Sequence, residues 1–175
     1  MSQRRTSTRT APLVQDVILG AAGGYRATRV MEPVSAKLYE LESDHDRARE
    51  DAARPGPPDR IAAQKITELV GLHLSAPALD KAALGFHYGL AISWTPVYQL
   101  LRRTTRLGPV AAGLATGASM SLLADEGMTG ALGFSAPNRA YPLCTHLRGL
   151  AARLVFGVAV AAVTETGWLL LRRRP

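Results

Sequence analysis

The chain has 175 residues, 47% of them apolar, and 21 lysines and arginines against 14 acids, for a formal charge of +7. Its mean hydropathy, +0.02, falls between soluble and membrane proteins, because one long polar stretch dilutes several apolar ones. One cysteine, Cys144, excludes an internal disulfide. The charge argues against a nucleic-acid surface, since it sits in three acid-free clusters that each abut an apolar stretch.

Those clusters are Arg4, Arg5 and Arg9; Arg102, Arg103 and Arg106; and Arg172, Arg173 and Arg174. Residues 1–12 form a basic tail ahead of the first apolar stretch, Leu13 to Met31 (residues 13–31), which is read as a span. It is the least apolar of four, because Arg26 and Arg29 each cost up to about 2.5–3.5 kcal/mol at a bilayer centre. An amphipathic helix lying on a membrane surface is the alternative. Asp16, the two arginines and the lack of a small-residue cleavage site argue against a signal peptide.

Residues 32–81 are polar, with ten acids against seven bases. PVSAKLYELESDHDRAREDAA reads as a charged helix with Pro33 at its start, and ARPGPP as a turn. DRIAAQKITELVGLHLS reads as a second helix with Asp59 as N-cap and Ile66, Leu69 and Val70 as an apolar stripe. Together they predict a helical hairpin between the first and second spans; a loosely ordered charged loop is the other reading.

The second span, residues 82–101, is charge-free apart from a protonated His87, with Trp94 and Tyr98 towards its arginine end. A basic loop, 102–108, leads to the third span, 109–125, which is short and built of small residues. It crosses only with local thinning or by continuing past Asp125 and Glu126. A polar loop, 126–148, precedes the fourth span, 149–171, and residues 172–175 close the chain. The fold class expected is therefore all-α: a helical membrane protein of about four transmembrane helices. Four crossings put all three arginine clusters on one side, which the positive-inside rule makes cytoplasmic, and leave the hairpin extracytoplasmic. Three crossings would separate the first cluster from the other two.

Small residues recur at a spacing of four: Gly20, Gly24 and Thr28; Gly85, Gly89 and Ser93; Gly113, Gly117 and Ser121; Gly157 and Ala161. Positions four apart share a helix face, and small ones let membrane helices approach closely. A glycine- and alanine-rich chain also produces such spacing by chance. The next step beyond Ala161 is Glu165, Asp16 lies four before Gly20, and Asp125 four after Ser121. The acids are thus expected at helix contacts, with partners among Arg26, Arg29, Arg153, His87 and His146. Arg153 cannot meet Glu165 on its own helix, since twelve residues span about 18 Å. The candidate buried polar set is Asp16, His87, Asp125, Glu126, His146, Arg153 and Glu165.

Little in the sequence points to catalysis. Cys144 and His146 are a lone pair of metal-ligand types, GAAGGY lacks the lysine and serine of a phosphate loop, and GFSAP lacks the second glycine of a nucleophile elbow. Asp125 and Glu126 beside His146 could relay protons, or could simply end one helix where His146 and Arg148 open the next. His87 reads as a packing histidine. No cofactor, no metal and no enzymatic activity are expected.

Several stretches resemble the YagU-like family of bacterial inner-membrane proteins. These are GAAGGYRATRVMEPVSAKLYELES, AAQKITELVGLHLS, FHYGLAISWTPVYQLLRR, GLATGASMSLLADEGMTGALGFSAP and THLRGLAARLVFGVAVAAVTE. The resemblance runs from about Gly20 to Glu165 and implies a small multi-span inner-membrane protein of unassigned biochemical activity. It places His87, Asp125, Glu126, His146 and Glu165 where the family keeps polar residues. Arg153 stands where relatives often carry histidine, which counts against a shared proton relay, since arginine does not release its proton. The expected function is structural or stress-related and non-enzymatic, with lipid as partner, homo-oligomers allowed, no nucleic acid, and an unknown partner for residues 32–81. Proton or ion handling by the buried carboxylates and histidines is the alternative, and a soluble helical domain with basic ends the third reading.

Overall fold

The computed structural model describes residues 7–172, and side chains from residue 13 to 171. Arg4, Arg5, Arg173 and Arg174 lie outside the described residues. The described chain is helical throughout, with no strand. Helix α1 is Ser7–Glu40, α2 Asp44–Ala53, α3 Pro58–Leu69 and α4 Ala76–Thr104. Helix α5, Pro109–Met120, continues into a π-helical segment, Ser121–Thr129, and a 3₁₀ turn, Asn138–Ala140, precedes α6, Leu143–Arg172.

The polar segment is divided differently from the sequence expectation. Helix α1 does not stop at Met31 but runs through Pro33 for 34 residues, about 51 Å at 1.5 Å each. The break comes instead after Glu40, because Ser43 is a better start signal than Pro33. Its hydroxyl accepts from the Asp46 backbone N–H, and Asp44 and Asp46 place negative charge on the first turn of α2. Asp59 is not the N-cap of α3: Pro57 takes that position and Pro58, with its φ already set for helix, opens the helix. The Asp59 carboxylate accepts from the Arg60 N–H instead.

The four long elements run alternately up and down. Asp16 lies beside Gln99 and Arg103, Gly20 beside Thr95, and Gly24 beside Ile92, so α1 and α4 are antiparallel. Gly113 faces Gly157 and Gly117 faces Arg153, so α5 and α6 are antiparallel. Helix α6 packs most extensively on α1 and α5, and α4 lies against α1. Arg102 and Arg103 mark one end of the bundle, called here the basic end; α2 and α3 lie at the other, the hairpin end.

Glycine sets three of these contacts. A Cβ on Gly24 would stand 2.7 Å from the Ile92 Cα, and one on Gly113 2.6 Å from the Gly157 carbonyl oxygen. A Cβ on Gly117 or Gly157 would drive into the facing backbone, at the Arg153 and Gly113 carbonyls. Gly85 and Gly89 are a correction: both are exposed, with nothing within 4 Å of an added Cβ. Helix α4 turns Ala83, Ala91, Thr95 and Tyr98 inward, leaving the other small-residue row outside.

The interior is small and polar. Ala27, Ala91, Ala112, Ala124, Ala152 and Ala161 are buried around Tyr98, Met120, Phe156 and Val160. Thr28, Thr95, Thr116 and Thr164 are buried among them. Thr28 and Thr116 satisfy their hydroxyls on the carbonyl four residues back, at 2.9 and 2.8 Å. Large apolar side chains face outward instead, including Val14, Val17 and Ile18 on α1, Val110 on α5, and Leu169 and Leu170 on α6. Among the described residues one helix is long and apolar enough to cross a membrane, Leu143–Leu171, with mean hydropathy 1.9. Charges dilute α1, polar aromatics and Gln99 dilute α4, and the regular part of α5 is only 12 residues long.

Candidate functional site

The ionisable residues gather into two layers, separated by the small-residue interior. At the basic end, Glu165 of α6 accepts from Tyr98 Oη at 2.9 Å and from Arg102 Nε at 2.6 Å. Arg102 also donates through Nη1 to the Leu107 carbonyl at 2.8 Å, tying the α4–α5 loop to α6. One helical turn away, Asp16 accepts from Arg103 Nη2 and, at 3.2 Å, from Trp168 Nε1. The Asp16 backbone carbonyl accepts from Gln99 Nε2 at 2.9 Å. Arg103 lies over the Trp168 ring, 5.6 Å from its centroid, and Tyr98 stacks on the same ring. Asp16, Gln15, Arg102, Arg103, Glu165 and Trp168, with Leu171, line a cleft of about 370 Å³.

The carboxylate inside the last apolar stretch is therefore an interhelical group. Glu165 points at α4, where a phenol and a guanidinium meet one of its oxygens.

At the hairpin end, Arg153 reaches across to Asp125 in a bidentate pair, Nε to Oδ2 at 2.7 Å and Nη2 to Oδ1 at 2.8 Å. Its Nη1 donates to the Met31 sulfur at 3.5 Å, so the pair joins the π segment, α6 and α1. The neighbouring Glu126 meets His146 Nδ1 at 2.8 Å, and Asn138 donates to both its side chain and its backbone carbonyl at 2.8 Å. His146 Nε2 faces the Asn138 carbonyl at 3.1 Å. The π segment has a local signature in Thr129, whose hydroxyl donates to the Ala124 carbonyl five residues back. Its wider turn brings the consecutive Asp125 and Glu126 onto two separate partners of α6. His87 Nε2 lies 3.2 Å from Glu32 Oε1 on α1, and Arg29 lies 3.7 Å from the other Glu32 oxygen.

The seven candidate residues thus form separate pairs rather than one chain. Asp125 meets Arg153 and Glu126 meets His146; Asp16, Glu165 and His87 meet Arg103, Arg102 and Glu32, none of which the sequence reading paired with them. Among the described residues no group of three or more metal-ligand types could hold an ion.

Sequence reasoning missed the most buried cluster. Arg148, at the start of α6, donates to Glu42 Oε1 at 2.6 Å and to both Glu50 oxygens at 2.7 Å. Its guanidinium lies 4.9 Å from the Tyr39 ring centroid. Thr145 donates to Glu50 at 2.7 Å, and Arg54 pairs with Glu50 from the C-cap of α2. The Glu50 side chain is 1% exposed, which no surface charge on a solvated helix would be. Burial alone would raise its carboxyl; hydrogen bonds from Arg148 and Thr145, and the charges of Arg148 and Arg54, outweigh that and hold it below the usual carboxylate range.

No family model matches this chain, and neither a curated protein nor a solved structure does.

Proposed function

We propose that the chain is an integral membrane protein with four crossings, α1, α4, α5 with its π segment, and α6, and that its role is structural and not enzymatic. The observation that carries this reading is the inversion of the usual core: alanine and threonine inside, leucine and valine outside. In water that arrangement wastes the hydrophobic effect. In lipid, where helices associate by close packing and polar contacts, it is the economical one. The longest apolar helix supports it, since only 28% of its apolar window is buried, whereas the core helix of a soluble bundle is mostly covered.

Both chain ends then lie with Arg102, Arg103 and Arg106 on the cytoplasmic face of a bacterial inner membrane, and α2 and α3 lie outside. Arg26 and Arg29 are exposed on α1, and on this reading their long stems let the charged heads reach the outer interface. The resemblance to the YagU-like family favours the same placement. Arginine partners on Asp16, Asp125 and Glu165 favour a clamp over a proton path, because arginine holds its proton. Proton handling is retained as a second reading for Glu126 and His146 alone, where a carboxylate meets an imidazole at 2.8 Å instead of an arginine.

Single cysteines placed at Ser43, Thr105 and Ser135 in a Cys144→Ser chain test the topology. The first and third should react with an impermeant thiol reagent in intact cells, and the second only after lysis. Recovery of the protein in the supernatant without detergent would refute the membrane reading altogether.

A further inference from the structure

We propose that Arg26 and Arg29 of α1 hold the phosphate of an outer-leaflet phospholipid beside the paired rings of Tyr25 and Tyr88. The inference rests on the membrane reading and gives one lipid a site on the bundle. Both arginines are exposed, on the α1 face that also carries Val14, Val17, Ile18 and Val30. Gly24, Ala27, Thr28 and Met31 are buried on the opposite face, against the bundle. The arginine face is therefore the one turned to lipid. Along the helix axis Arg29 stands about 4.5 Å and Arg26 about 9 Å from Glu32, on the side towards the basic end.

Arg26 has no hydrogen bond or ion pair with any described residue, which leaves its five N–H donors free. The Arg29 side chain is 63% exposed, and its acidic contact, Glu32, is 3.7 Å away and shared with His87 Nε2 at 3.2 Å. Two arginines against one glutamate leave a net positive charge on this face with His87 neutral. An ionised group that faces hydrocarbon needs a counter-charge or water, and for Arg26 the described chain supplies no counter-charge. A phosphodiester brings one negative charge and two unesterified oxygens, which match the planar guanidinium fork. Tyr25 is 51% exposed, and its ring centroid lies 5.1 Å from that of Tyr88, whose phenol stands beside Arg29. Tyrosines gather at headgroup depth, where the ring meets apolar chain and the hydroxyl meets polar groups.

Native mass spectrometry of the full chain in a neutral detergent, with phosphatidylglycerol and diacylglycerol of matched acyl chains, tests this. The parent should retain phosphatidylglycerol in preference to diacylglycerol, which lacks the phosphate. Arg26→Gln should lower retention of the most strongly held phosphatidylglycerol at least about fivefold, and the double variant with Arg29→Gln further. Arg26→Lys, which keeps the charge but not the fork, should fall between parent and Arg26→Gln. Arg47→Gln, the same loss of charge on α2, should leave retention at the parent level. Circular dichroism of each variant separates loss of the site from loss of the fold. Parent-level retention in Arg26→Gln, or equal retention of the two lipids by the parent, overturns the proposal. So does free glycerophosphate that displaces the lipid, which assigns the arginines to a soluble phosphate ester. A dimer that is lost in Arg26→Gln while lipid retention is unchanged assigns Arg26 to a second copy, and also overturns it. A chain that is soluble without detergent and retains no lipid of any kind refutes the membrane reading instead.

Discussion

Arg148 closes on Glu50 from 98 residues away, with one nitrogen equidistant from both carboxylate oxygens at 2.7 Å. With Glu42 on its other nitrogen, it fastens α2 and the α1–α2 turn to the first turn of α6. Both carboxylates are almost fully covered, so loss of the arginine strips Glu42 of its partner and leaves Glu50 with Arg54 and Thr145 alone. Arg148→Met should destabilise the hairpin end by about 3–5 kcal/mol, the range for breaking a buried pair. Trypsin should then cut at Arg47, Arg49 or Arg54 well before the four long helices are digested; unchanged cleavage would count against the clamp.

Glu50 also sets a pH dependence. Its folded carboxyl lies below the ordinary glutamate range, so its stabilising contribution is complete above the unfolded value and shrinks as pH falls towards and through the folded one. Protease resistance of α2 should therefore drop below about pH 4.5 in the parent chain. In Glu50→Gln it should be lower at neutral pH and flatter across the same window.

The α5–α6 contact tolerates no side chain. Gly117→Ala and Gly113→Val push a Cβ onto the facing backbone of α6 and should each cost about 1–3 kcal/mol, read as a lower melting temperature in detergent. Gly89→Val, on the outer face of α4, should leave the stability within about 1 kcal/mol of the parent. Equal losses at all three sites would show that spacing, not contact, is what matters.

Asp125 and Arg153 form a bidentate pair between the π segment and α6. A double-mutant cycle with Asp125→Asn and Arg153→Gln should give a coupling of about 0.5–3 kcal/mol. The single change Asp125→Asn should be the costlier of the two, since it strands a guanidinium that is 19% exposed. Additive effects would make the pair incidental.

Much of the architecture was legible because periodicity and cap chemistry are local. The helical class, a long final helix and the turn at ARPGPP follow from apolar runs and proline alone, although that helix begins at Leu143 and not at the expected residue 149. The α1–α2 break is misplaced in the sequence reading because Pro33 suits the start of a new helix, whereas a single proline in a 34-residue helix costs one hydrogen bond that its neighbours outweigh. Gly85 and Gly89 were misplaced for a different reason: a spacing of four identifies a face but not which way it turns. Acids at helix contacts were foreseeable from their register with the glycines. Their partners were not, because the pairing of Glu165 with Arg102, or Asp16 with Arg103, depends on the relative height of two helices. The Glu42–Glu50–Arg148 cluster was hidden in a stretch whose composition reads as solvated surface.

The separation of the two charged layers carries a consequence for the surroundings. From Arg153 to Glu165 along α6 is about 18 Å, and from His87 to Arg102 along α4 about 22 Å, against about 30 Å of hydrocarbon in an ordinary bilayer. On the membrane reading, lipids at the rim of this bundle must compress, tilt or give way to shorter-tailed ones, at a fraction of a kcal/mol per ångström of mismatch. Acyl-chain length then becomes a variable that sets how firmly the four rods hold together, and a thin patch of bilayer becomes part of what the protein makes.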